Sequence, residues 1–77
     1  MVEYILSGRG RIWLAEVDEN LKVKKFLNTP VKTEKNGTLI RKYFELKDGK
    51  YRAMNAGREE IFSVVNNIIV WWTKWQI

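Results

Sequence analysis

The sequence predicts an α+β domain, in which an antiparallel sheet of four or five strands is followed by one C-terminal amphipathic helix packed on one sheet face. Three observations predict it. Up to residue 55, β-branched and aromatic residues come in short runs separated by Gly, Asn and Asp. Beyond residue 55 the apolar period lengthens from about two to about 3.6 residues. Three of the four tryptophans then crowd into IIVWWTKWQI, residues 68–77.

The strands are expected at about 2–7, 11–17, 21–27, 38–46 and 50–55 in a single domain spanning 1–77. Gly8-Arg9-Gly10 supplies the conformational freedom of a tight reversal between the first two. Asp18-Glu19-Asn20 marks a second turn, and Pro30 stops the third strand because it cannot donate to a ladder. The polar stretch Val31 to Asn36 reads as loop, and Asn36-Gly37 introduces the fourth strand. Asp48-Gly49 is the strongest hairpin signal, joining the last two strands.

From Ala56 onward, Ile61, Phe62, Val64, Val65, Ile68, Ile69, Trp71, Trp72 and Trp75 fall on one half of a helical wheel, with Val70 as the violation. The spacing predicts a helix over 56–75, with Asn55 as N-cap and Glu59 and Glu60 near its positive end. Trp72 lies near the centre of its apolar face and Trp75 within it, where both would seal the helix onto the sheet. Trp71 lies at the edge of that face, and Trp71 and Trp75 are the candidate dimer contacts. A membrane span needs about 20 mostly apolar residues. Here Ser63, Asn66, Asn67 and Lys74 interrupt the run, so no membrane partner is expected.

Alternation splits each strand into two sets. Ile12, Leu14, Val23, Leu27, Ile40, Phe44 and Leu46 would face the helix. Arg11, Trp13, Lys22, Lys24, Phe26, Arg41 and Tyr43 would share the open face, joined by Arg52 or Tyr51 according to register. Cations interleaved with flat rings suit single-stranded nucleic acid, because cations follow phosphates and rings stack on bases. The candidate nucleic-acid-binding residues are therefore Arg11, Trp13, Lys22, Lys24, Phe26, Arg41, Tyr43 and Arg52. The same aromatics could instead form the core of a contact with a larger protein, rimmed by charge.

The charge distribution is consistent with a polyanionic partner. Residues 20–52 hold ten Lys or Arg against three acids, whereas residues 1–19 balance at −2 and 53–77 at zero, within a net +5. With no Cys and no His, the chain lacks disulfides, Cys/His zinc sites, the usual general base and the thiolate nucleophile. Glu16, Asp18 and Glu19 cluster at a turn, and Ser7 and Ser63 have no activating partner in sequence. A non-enzymatic protein without cofactor or metal is expected. MVEYILSG lacks the basic and long apolar parts of an export signal, so an intracellular site, cytoplasmic or nucleoid-associated, is expected.

GRGRIWLAEVDENLKVKKFL, residues 8–27, resembles the Pur-repeat pattern of a Gly-basic stretch, an aromatic strand, an acidic-Asn turn and a basic-aromatic strand. IRKYFELKDGKY, residues 40–51, is similar to the paired strands of positive-cofactor-four-like proteins, and the overall plan resembles Whirly proteins as well. The loop 28–37 has no counterpart there, and the lysine-glycine strand that usually precedes the helix in cofactor-type proteins is absent from this chain. The resemblance implies a homodimer whose helices pair and whose sheet binds single strands through Arg11, Trp13, Lys24, Phe26, Arg41 and Tyr43.

Overall fold

A computed structural model describes residues 1–55 and 57–71. The described chain is all β: β1 (Val2–Arg9), β2 (Ile12–Val17), β3 (Val23–Phe26), β4 (Lys32–Asn36), β5 (Leu39–Leu46), β6 (Gly49–Asn55), β7 (Arg58–Val65) and β8 (Ile68–Trp71). They form two antiparallel sheets, ordered β1-β5-β4 and β3-β2-β6-β7-β8. The expected α+β class is thus corrected, and so is the single sheet on which the face assignment depended.

The C-terminal helix is replaced by the β7–β8 hairpin. Asn66 and Asn67 both take positive φ, 52° and 62°, in a two-residue loop that pairs Val65 with Ile68. Two consecutive residues at positive φ are the signature of the type I′ turn, which Asn tolerates. Glu59 and Glu60 therefore point to opposite sides of a strand and flank no helix end. Asn55 ends β6, opposite Arg58, and caps nothing. Trp72 and Trp75, expected to seal the helix, lie outside the described residues.

Two expected hairpins are corners instead. Gly10, at φ +79°, carries the chain from β1 in one sheet to β2 in the other. Asp48-Gly49 carries it from β5 to β6, again between sheets. Gly49 keeps an ordinary φ, so it does not form the type I′ turn that a two-residue hairpin wants. Interactions at the corner hold it. The Tyr51 hydroxyl donates to the Lys47 carbonyl at 2.7 Å, and the Asp48 carboxylate accepts the Asn66 N–H at 3.2 Å. The expected loop 31–36 is instead the exposed edge strand β4, paired to β5 across the Gly37-Thr38 turn with Gly37 at φ +65°. The Asp18 turn behaves as expected. Its carboxylate accepts the backbone N–H of Asn20 and Lys22 at 2.8 and 2.9 Å, closing β2 onto β3.

One core lies between the sheets. β1 and β5 contribute Tyr4, Leu6, Phe44 and Leu46, while β2, β6 and β7 contribute Ile12, Leu14, Tyr51, Ala53, Phe62 and Val64. Four of the expected core residues, Ile12, Leu14, Phe44 and Leu46, are buried, and Leu27 and Ile40 pack at the margin. Val23 is the exception, at 39% exposure. Phe62 is fully buried at the centre, its ring centroid 4.6 Å from Tyr4, 5.6 Å from Tyr51 and 5.2 Å from Trp71. Tyr4 belongs to the smaller sheet and the other two to the larger, so Phe62 couples the layers. Burial, reinforced by a 2.8 Å hydrogen bond from its hydroxyl to Glu60, pushes the Tyr4 pKa far above the ordinary phenol value. Gly8 permits the close approach of β1 to β2 and β6. A Cβ there would strike the Asn55 side-chain oxygen and lie 2.7 Å from Ile12 Cγ2.

Phe62→Ala should lower stability by about 3–5 kcal/mol, because the cavity opens in both layers at once. Chemical denaturation of the variant against the parent checks this, with an unchanged midpoint as the contrary result.

Candidate functional site

The candidate site is the outer face of the five-stranded sheet. Along β2, Ile12 and Leu14 point into the core, so Trp13 and Ala15 point out. The register sets Trp13 beside Met54 and places Ala15 between Phe26 and Arg52. Ala15 is fully buried although it lies on this outer side, so larger neighbours cover it. Trp13 and Phe26 meet edge to face, with centroids 5.5 Å apart and planes at 80°. The Arg52 guanidinium lies 6.0 Å from the Trp13 ring centre, at the outer reach of a cation–π contact. Phe26 is 51% exposed and available as a flat apolar surface, while Trp13 is half-buried behind it.

The cations around this pair differ in state. Two guanidinium nitrogens of Arg52 contact one carboxylate oxygen of Glu59, its neighbour on β7, so its charge is largely matched. Arg11, Lys22 and Lys24 are exposed and carry no ion pair among the described residues. A bulge in the β2–β3 pairing makes Lys24 the extra residue between Val23, opposite Val17, and Lys25, opposite Glu16. Strict alternation fails at that point, so Lys24 belongs to the β3 edge and not to a regular face position.

Arg41 and Tyr43 are corrected out of this site. They lie on β5, on the outer face of the three-stranded sheet, with the core between them and Trp13. There Glu34 on β4 organises a second cluster. The Tyr43 hydroxyl donates to Glu34 Oε1 at 2.6 Å, and Lys32 Nζ lies 3.3 Å from Oε2. Arg41 Nη1 is 3.9 Å from Oε1, and Lys32 sits 5.3 Å from the Tyr43 ring centre. The hydrogen bond from Tyr43, followed by that from Lys32, holds the Glu34 carboxyl below its ordinary value. Beside it, Glu34, Lys35, Asn36, Leu39 and Arg41 line an open depression of about 400 Å³. Both aromatic and cation here are already partnered.

The far end of the candidate face differs from what the helical assignment allowed. Val65, Ile68 and Val70 lie on it at 49%, 63% and 48% exposure. Val70 violated the helical pattern, and that violation was the available sign of a strand with two apolar faces. Trp71, the candidate dimer contact, turns its ring inward against Phe62 and Tyr4 while remaining 49% exposed. Trp75 lies outside the described residues. No group of three metal-ligating side chains occurs among the described residues. No protein-family model, curated protein or solved structure matches the chain.

Because the Glu34 pKa is lowered by folding, its contribution to stability is present above the ordinary carboxylate value of 4.5. It is lost as pH falls through the lowered value. In a carboxyl NMR titration Glu34 should titrate below the ordinary carboxylate value, and Tyr43→Phe should move it back up. A Glu34 that titrates at the ordinary value in the parent would contradict the cluster.

Proposed function

We propose that the β3–β2–β6 end of the five-stranded sheet binds single-stranded nucleic acid, as a non-enzymatic module with little sequence preference. The observation that carries this reading is the exposed Phe26 ring, braced edge-on by Trp13, with the exposed cations Arg11, Lys22 and Lys24 on the same strands and their connections and without an ion pair among the described residues. A base stacked on Phe26 replaces water on an apolar ring, worth about 1–3 kcal/mol by alanine substitution. Arg11, Lys22 and Lys24 then neutralise phosphates on either side. Arg52 orients Trp13 and shares its charge with Glu59, so its contribution is positional. Without Arg41 and Tyr43, which lie on the other sheet, the site is small, which favours micromolar over nanomolar affinity.

A second reading, docking on a larger protein, draws support from the aliphatic character of the rest of the face. Val23, Val65, Ile68 and Val70 offer phosphates nothing. In that case the Trp13–Phe26 pair would be the centre of an apolar contact, and the lysines would steer encounter.

The two readings separate in one titration. Fluorescence anisotropy of a labelled oligonucleotide at low salt should report micromolar binding that weakens steeply with added salt. Phe26→Ala should weaken it by roughly five- to a hundred-fold, and Lys24→Gln should lower the salt slope by about one ion. Arg41→Gln, on the opposite sheet, should leave binding unchanged. No anisotropy change at low salt would remove the nucleic-acid reading and leave the protein-docking one.

A further inference from the structure

Every sheet ends in strands with unpaired backbone groups, and charges on such edges discourage strand addition. The smaller sheet ends in β1, with Glu3 and Arg9, and in β4, with Lys32, Glu34 and Lys35. The larger sheet ends in β3, with Lys24 and Lys25, and in β8. β8 reads Ile68-Ile69-Val70-Trp71 and is the one edge strand among the described residues without a charge.

Its backbone is also available. The Asn66-Asn67 loop makes Val65 and Ile68 a hydrogen-bonded pair, and the antiparallel alternation makes Ser63 and Val70 the next. The N–H and C=O groups of Ile69 and Trp71 therefore point away from β7, and no strand among the described residues meets them. We propose that β8 pairs antiparallel with β8 of a second copy of this chain, joining two five-stranded sheets into one of ten strands.

The charge distribution suits a second copy. In an isologous antiparallel pair residue i meets j and j meets i, and the residue on the two-fold axis meets its own counterpart, so a charge on the axis would repel itself. β8 carries no charge from Ile68 to Trp71, so no register of these residues against themselves sets like charges together. The basic β3 strands then lie at opposite ends of the joined sheet. At about 4.8 Å per strand they are some 40 Å apart, several times the roughly 8 Å screening length of physiological salt. Their repulsion is screened out.

A register with Ile69 opposite Trp71 of the second copy brings Val70 against its counterpart in a non-hydrogen-bonded pair. The exposed Val70 side chains of the two copies then cover one another across the axis. The two-fold axis runs perpendicular to the sheet, so both Trp13–Phe26 pairs remain on one surface. The pairing does not depend on the nucleic-acid reading.

Sedimentation equilibrium of the full chain without oligonucleotide should give twice the 9.2 kDa chain mass at about 100 µM. Val70→Lys should raise the dissociation constant about tenfold or more, by placing like charges directly opposite. The chain has no cysteine, so Val70→Cys provides a separate test. Across a non-hydrogen-bonded pair it should form an intermolecular disulfide on mild oxidation, whereas Phe26→Cys should not. Circular dichroism verifies that each variant keeps its strands. A parent chain of single mass would overturn the pairing. A dimer in which Val70→Cys crosslinks no faster than Phe26→Cys would overturn it equally.

Discussion

The structure depends on the stacking of Phe62 between layers. Its ring, fully buried, touches Tyr4 from the three-stranded sheet and Tyr51 and Trp71 from the five-stranded one. A 77-residue chain without disulfides has little apolar surface to spare, so the two sheets must share one core. Aromatic side chains bury the most area per residue and gain about 0.5–1.5 kcal/mol more from favourable ring geometry. Concentrating them where the layers meet commits the inward face of every long strand. The outward faces are then left to charged side chains and to exposed apolar ones such as Phe26 and Val70.

That division explains what the sequence revealed and what it concealed. Alternation in β2 and β5 correctly separates Ile12, Leu14, Phe44 and Leu46 from Trp13 and Tyr43, because each strand has one buried and one open side. It does not reveal which strands share a sheet. Trp13 and Tyr43 each point outward, but from opposite sides of the molecule. Turn chemistry has the same limit. Asp48-Gly49 specifies a change of direction, while the partner of the next strand is set by Tyr51 reaching the Lys47 carbonyl and Asp48 reaching Asn66.

The helix assignment failed for a different reason. Residues 61–71 are apolar on both sides of a hairpin, since one side meets the core and the other lies on the candidate face. Pairs of adjacent apolar residues, Ile61-Phe62, Val64-Val65 and Ile68-Ile69, then mimic a 3.6-residue period. The β-branched content and the Asn66-Asn67 pair were the competing signals, both favouring strand-turn-strand. Once the hairpin replaces the helix, Val70 and Trp71 belong to a sheet edge that no other strand among the described residues covers. The helix-paired dimer implied by the Pur-like resemblance finds no helix among the described residues.

The central functional claim concerns which surface engages a ligand, and backbone amide NMR addresses it most directly. On addition of a single-stranded oligonucleotide at low salt, shifts concentrated in β3, β2 and β6, including Trp13, Phe26 and Arg52, are expected. The β4–β5 hairpin with Glu34, Arg41 and Tyr43 should remain unperturbed. Shifts centred on that hairpin, or none anywhere at millimolar ligand, would contradict it.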